Sequence, residues 1–200
     1  MSLLITTAFI LLAILCGISP VEAWPKKSAI RPPQVVTLSV AQSSEGVYRV
    51  EGAFEVEAPL EAVWEALADY DQIGKFVSTI RESRVTDRTP IALTLVQEAE
   101  IQVLMFSQKV SLVLEVREDF KKSIVFQDTL LKDFSKYEGS WRMEETGGKV
   151  HVRYGLHAKP RFEIPGFLGR LLFEGSASDL LKEVRIEILR RGLEAALPRK

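Results

Sequence analysis

Hydrophobic and polar residues alternate along most of the chain from residue 46 onward. In residues 48–56 apolar side chains alternate with Arg and Glu, the period-two pattern of a strand with one buried and one solvated face. Pro59 then opens a short helix, because apolar residues recur at i, i+3, i+4 and i+7 from Leu60 to Leu67. The pattern predicts a strand followed directly by an amphipathic helix.

Six further strand-like runs follow this helix, and turn signals rich in Gly, Pro, Asp and Lys separate several of them. The runs cover residues 83–87, 91–103, 109–117, 123–129, 136–145 and 150–158. Successive strands joined by short turns predict an antiparallel sheet.

The C-terminal part changes character after Pro160. Residues 162–173 crowd large apolar side chains around Pro and Gly, which predicts an apolar loop. A long helix is predicted to start at Ser176, where Ser176 and Asp179 resemble a capping box, and to stop at Pro198.

The N-terminal residues have the pattern of an export signal. Residues 3–18 form an uncharged apolar run, and the small-residue triplet that ends at Ala23 suits a cleavage site. We therefore expect residues 1–23 to be a signal peptide, and the protein to be exported, periplasmic or associated with the envelope. The alternative is an uncleaved membrane anchor. Residues 24–45 are expected to be an extended segment before a single domain at residues 46–198.

Composition narrows the functional classes. Lys and Arg number 26 and Asp and Glu 27, for a net charge of −1, so the chain has no general attraction for nucleic acid. The one cysteine, Cys16, lies in the export segment. A cleaved chain would therefore have no disulfide, thiolate metal site or cysteine nucleophile.

Two histidines, His151 and His157, are the first candidates for catalysis or metal binding. They share strand parity with Arg153 and alternate with apolar residues, so we expect them to face solvent. Six residues along a strand separate them by roughly 20 Å, which is too far for one metal ion. The sequence predicts no metal site and no cofactor.

Several short motifs resemble the START-like superfamily, in particular its polyketide cyclase/dehydrase and coenzyme Q-binding branch. They lie at residues 56–64, 70–71, 76–77, 83–85 and 137–143. The resemblance implies an α+β helix-grip fold, in which a curved antiparallel sheet of about seven strands wraps around the long C-terminal helix. It also implies an interior cavity for a hydrophobic ligand.

The resemblance leaves three functions open. The preferred one is binding and transport of a lipid or isoprenoid-like ligand; the others are a cyclase or dehydratase acting on a polycyclic or aromatic substrate, and an interaction module with a filled interior. Asp128 shares strand parity with Phe126, a position from which its carboxyl could serve as an acid or base. The candidate ligand-binding residues are Trp64, Phe76, Phe126, Asp128, Tyr137, Trp141, Tyr154, Phe167, Phe173, Leu180 and Val184.

The apolar segment from Phe162 to Phe173 has two interpretations. It could form a gate that touches a membrane surface, since Arg161 and Arg170 flank its large side chains. Alternatively, it simply closes the core.

Overall fold

The computed structural model describes residues 36–197, apart from the side chain of Val103. The predicted signal peptide, residues 1–23, lies outside this range, as does most of the segment expected to precede the domain. Within the described range, no helix combines the length and apolar character that crossing a bilayer requires.

Eight strands and two α-helices form the domain. The strands are β1 (Thr37–Gln42), β2 (Tyr48–Val56), β3 (Ile80–Arg88), β4 (Leu93–Val103), β5 (Phe106–Asp119), β6 (Ser123–Asp128), β7 (Phe134–Thr146) and β8 (Lys149–Pro160). The helices are α1 (Leu60–Ala68) and α2 (Leu168–Ala196), with a short 3₁₀ helix at Tyr70–Lys75.

All eight strands belong to one antiparallel sheet in the order β1-β2-β8-β7-β6-β5-β4-β3. Strands β3 to β8 pair with their neighbours in sequence, whereas β2 pairs with β8, so that Tyr48 lies opposite Ala158. The long helix α2 packs against the sheet. The expected α+β helix-grip architecture, a curved antiparallel sheet with a long C-terminal helix, is confirmed.

The sheet has one strand more than expected because it starts earlier in the chain. Strand β1 lies within residues 24–45, and it pairs with β2 with Val40 opposite Val50. Val40 is the one buried residue of β1. One buried position is too short an alternation to identify a strand from sequence.

The prediction that the last helix starts at Ser176 is wrong, since α2 begins at Leu168. Glycines in this stretch suggested a loop, but tertiary packing overrides their low helix propensity. Leu172 is completely buried, and Gly169 lies so close to Tyr48 that a Cβ there would collide with the Tyr48 hydroxyl. The glycine therefore allows the helix to approach β2.

The inner face of the sheet and one side of α2 form the core. In β2 and β8 the predicted alternation is confirmed, with apolar residues buried on the inner face. Leu181 and Ile188 of α2 are completely buried against this face, which contributes roughly 1.5–3 kcal/mol for each side chain. The histidines lie on the other face, where His151 Nδ1 is 3.3 Å from Glu55 Oε1, so their predicted outward orientation is confirmed.

An ionic network fastens the C-terminal end of α2 to α1. The guanidinium of Arg191 donates to Glu187 Oε1 at 2.7 Å, to Asp69 Oδ2 at 2.9 Å and to the carbonyl oxygen of Glu65 at 2.9 Å. Hydrogen bonds from Arg190 and Arg191 lower the pKa of Glu187 to about 2, against the opposing effect of burial. Glu187 is therefore ionised in the folded protein throughout the neutral and mildly acidic range.

Candidate ligand-binding cavity

Two adjoining cavities lie between the inner face of the sheet and α2. The first cavity, about 110 Å³, lies beside the start of α2 and includes Leu172 and Phe173 in its lining. The second cavity, about 90 Å³, lies towards α1 and includes Leu67 and Tyr70. Each is smaller than the several hundred Å³ typical of a pocket for a drug-sized ligand.

Apolar and aromatic side chains make up most of both linings. Among the described residues that line them there is no Asp, Glu, His, Lys or Arg. The interior therefore suits an uncharged apolar molecule, because burying a charge in it without a partner would be costly.

Two tyrosines, Tyr137 of β7 and Tyr154 of β8, line both cavities. Burial, with a smaller effect of the charge on Asp128, raises the pKa of Tyr137 to about 12. Burial also raises the pKa of Tyr154 well above its usual range. Both side chains therefore stay protonated at neutral pH, and neither hydroxyl has a hydrogen-bond partner among residues 36–197.

Aromatic contacts hold the two tyrosine rings in place. The ring of Tyr154 lies 4.6 Å from that of Trp141, and the ring of Tyr137 lies 4.9 Å from that of Phe134. Both pairs are tilted, and such aromatic contacts favour one orientation of each ring. The hydroxyls are thus presented to the interior by a packed aromatic cluster.

Gln97 of β4 is a third polar group in both linings, and sequence reasoning missed it. Its Nε2 donates to Ser83 Oγ at 3.1 Å, which fixes the amide and leaves Oε1 available as an acceptor. Gln97 is buried at a position whose neighbours of the same parity, Leu95 and Ala99, also line the interior. A polar residue on the apolar face of a strand was the signal that could have found it.

Six of the eleven predicted residues line the cavities. These are Phe126, Tyr137, Trp141, Tyr154, Phe173 and Leu180.

The remaining predicted residues lie elsewhere. Trp64 and Val184 are buried in the core, outside both linings. Phe76 lies beneath the guanidinium of Arg191, 5.9 Å from its ring centroid, and Phe167 is 75% exposed.

Asp128 is the fifth predicted residue that lies outside both linings, and its carboxylate is bound by backbone groups. Its carboxylate accepts hydrogen bonds from the backbone N–H groups of Val113 at 3.0 Å, Leu130 at 3.1 Å and Leu131 at 3.0 Å. These bonds tie the turn after β6 to β5. The structure therefore places this carboxyl in a turn and not in the cavity wall.

Asp128→Asn is expected to destabilise the protein by about 1–3 kcal/mol, because an amide cannot accept all three bonds and its NH₂ faces backbone donors. Urea unfolding would measure the change. The control is Asp119→Asn, which removes an exposed carboxylate 3.5 Å from Lys122 and should change stability by less than about 0.5 kcal/mol. Equal effects of the two substitutions would contradict the assigned role.

Exposed apolar side chains lie on three connecting segments, each within a few residues of a side chain that lines the first cavity. We call them the apolar rim: Leu104, Met105, Leu130, Leu131, Phe167 and Leu171. They precede β5, follow β6 and begin α2, and Arg161 Nε donates to the Leu131 carbonyl oxygen at 3.1 Å, which joins the segment after β6 to the segment before α2. The segment from Phe162 to Phe173 thus both closes the core, through Leu172 and Phe173, and exposes Phe167.

The fold and its apolar interior define a helix-grip protein of the START-like superfamily. The profile of the family described as polyketide cyclase/dehydrase and lipid transport matches residues 56–185, and the chain belongs to this family. No curated protein sequence matches the chain significantly.

Solved structures share the fold at low sequence identity. A protein from Thermus thermophilus is 22% identical, with a TM-score of 0.61 over 74% of this chain and 99% of its own. The Zhui aromatase/cyclase from Streptomyces sp. R1128 is 12% identical, with a TM-score of 0.62 over 76% and 96%. A STAR-related lipid transfer protein from Xanthomonas axonopodis is 17% identical, with a TM-score of 0.56 over 76% and 98%.

Proposed function

We propose that the protein binds and transfers a hydrophobic molecule, a lipid or an isoprenoid-like compound, in the cell envelope. The observation that carries the proposal is the pair of adjoining cavities lined by apolar residues without a charged side chain. Enclosing an apolar molecule there would remove it from water, which favours binding by roughly 0.8 kcal/mol for each buried methylene group. The family's known members include lipid transport proteins, as its description states.

Ligand binding would join the two cavities. Leu180 of α2 lines both of them and is only partly buried, so a ligand larger than either cavity has to displace this side chain. Leucine changes rotamer at small cost when a neighbouring space is free. The two volumes are therefore a lower limit for the space that a ligand occupies.

The pattern of residues 1–23 supports the location in the envelope, since an apolar run followed by small residues is typical of export signals.

A cyclase or dehydratase is the second candidate. The unpartnered hydroxyls of Tyr137 and Tyr154 favour it, because two O–H donors could polarise a substrate carbonyl. Against it, the described linings contain no carboxylate or histidine that could accept a proton. Transfer therefore stays the preferred function.

Native mass spectrometry of the protein purified from its own host, followed by extraction and identification of what co-purifies, tests the proposal. The expected result is a stoichiometric hydrophobic molecule. An apo mass that persists after exposure to a host lipid extract would contradict it.

The apolar rim supports a transient membrane contact during transfer. The double substitution Phe167→Ser with Leu171→Ser is expected to weaken binding to phosphatidylethanolamine/phosphatidylglycerol vesicles by about tenfold or more, because two large side chains no longer enter the acyl region. Vesicle co-sedimentation would measure it. The matched control replaces Ile186 and Leu193, two exposed residues of α2 outside the rim, with Ser. Equal losses in the two double variants would overturn the assignment of the contact to the rim.

A further inference from the structure

The polar groups of the interior are concentrated where the two cavities meet. Gln97, Tyr137 and Tyr154 line both cavities, together with the apolar residues Ile80 and Leu180. We call the three polar residues the polar waist. Beyond the waist, the second cavity has two other residues with a polar group, Tyr70 and the indole of Trp141.

Tyr70 is not available to a ligand in the same way. Its hydroxyl donates to Glu118 Oε1 at 2.7 Å, so this donor already has a partner. Apart from the indole N–H of Trp141, the far part of the second cavity therefore offers a ligand apolar contacts. The first cavity adds two small hydroxyl residues, Thr79 and Ser176, at its own side.

The polar waist offers both kinds of hydrogen-bonding group. Tyr137 and Tyr154 supply O–H donors without a protein partner, and the amide of Gln97, fixed by its bond to Ser83, supplies a carbonyl oxygen as acceptor. A bound ligand without an oxygen atom at the polar waist would exclude water from all three groups and would not replace the hydrogen bonds that water makes with them. A ligand oxygen at the waist would accept from the tyrosines.

From this arrangement we propose that the ligand carries a ketone or hydroxyl oxygen inside its apolar length, with an apolar arm beyond it that fills the second cavity. This inference rests on the proposed function, since it requires that the ligand occupies both cavities. A hydroxyl can also donate to Gln97 Oε1, so it satisfies the waist as well as a ketone does.

A molecule whose only polar group is terminal does not fit in the same way. With its polar end at the waist it fills only one of the two cavities. With an apolar chain across the waist it leaves the two tyrosine hydroxyls and Gln97 Oε1 without partners. Internal and terminal ketones of equal size therefore distinguish the proposal from general hydrophobic binding.

The isomers 5-nonanone and 2-nonanone provide this comparison, because they have the same atoms and differ in the position of the carbonyl. Isothermal titration calorimetry with the mature protein is expected to show about tenfold tighter binding of 5-nonanone. The carbonyl stretching frequency of bound 5-nonanone is expected to fall, since the oxygen accepts hydrogen bonds.

Two variants complete the experiment. The double substitution Tyr137→Phe with Tyr154→Phe keeps both rings, and it is expected to weaken 5-nonanone binding by about tenfold or more and to reverse the shift of the carbonyl stretch. The control Tyr48→Phe removes the hydroxyl of a buried tyrosine that stacks on Phe173 but lines neither cavity. It should leave the preference for 5-nonanone unchanged.

The outcomes separate the two proposals. Equal binding of both ketones, unaffected by the double substitution, would overturn the polar waist while hydrophobic binding stands. If neither ketone binds but a host lipid co-purifies, the waist proposal again fails alone. If nothing binds in either experiment, the proposed function itself is wrong.

Discussion

Gly139→Ala is expected to lower the free energy of unfolding by about 2 kcal/mol or more. Gly139 lies in β7 directly opposite Phe126 of β6, and a Cβ there would come within 2.5 Å of Phe126 Cζ and still closer to the carbonyl oxygen of Gly155. The second obstacle is backbone in the neighbouring strand, so it cannot turn away as a flexible side chain would. Overpacking of this kind costs roughly 1–3 kcal/mol, occasionally more. Equilibrium unfolding in urea would measure it.

Gly155→Ala is the matched control in the adjacent strand. A Cβ at this position would meet only Ser140 Oγ, at 3.9 Å, which is an ordinary contact. Replacing glycine by alanine without a collision tends to stabilise a protein by about 0.4–1 kcal/mol through the unfolded chain. Unchanged stability of Gly139→Ala would show that the strands separate without cost and would contradict the packing described for β6, β7 and β8.

Glu187→Gln is expected to destabilise the protein at pH 7 by about 2 kcal/mol, and the difference from wild type should disappear in acid. The pKa of Glu187 is about 2 in the folded protein and near its usual value of 4.5 when unfolded. A lowered pKa stabilises the fold above the unfolded value, and this contribution is lost as pH falls from about 4.5 to about 2. Each pKa unit corresponds to about 1.4 kcal/mol, and incomplete burial reduces the total.

Urea unfolding of wild type and variant at pH 7, 4 and 2.5 would measure the difference between their free energies of unfolding. Comparing the two proteins at each pH removes the titration of other carboxylates from the result. Glu194→Gln is the control, since Glu194 contacts Arg190 from an exposed position on the same helix. A gap that stays constant down to pH 2.5 would show that the charge of Glu187 does not contribute to stability.

Much of the fold was predictable because its strands have one apolar and one polar face. Residues 48–56 and 150–158 show this alternation clearly, and both form strands whose apolar residues are buried. The start of α2 was not predictable from local rules, because Gly169 and Gly175 argue against a helix and only the packing of Leu172 and Tyr48 favours it. The periodicity of apolar residues predicts which face of an element is buried. It does not predict which other element that face packs against.

The same limit explains the candidate site. Tyr137, Trp141 and Tyr154 were predicted as aromatic residues of the helix-grip domain, and all three line the interior. The sequence does not distinguish a cavity wall from a packed core, so Trp64 of α1 was included among the candidates although it lies in the core. Asp128 shared the right parity, but three backbone donors near the end of its strand bind its carboxylate, and no sequence pattern shows such bonds.

The pairing of β2 with β8 limits how early in folding the cavities can form. Strands β3 to β8 can pair one after another as the chain is made, but Tyr48 has to find Ala158, which lies more than half the chain away. Closing so long a loop costs entropy before any contact compensates for it, so this step is expected to be slow. Until β8 is present, the edge of β2 that pairs with it carries unpaired backbone N–H and C=O groups. A chain interrupted before β8 therefore lacks Tyr154, the pairing that joins β2 to the rest of the sheet, and α2, and with them both cavities.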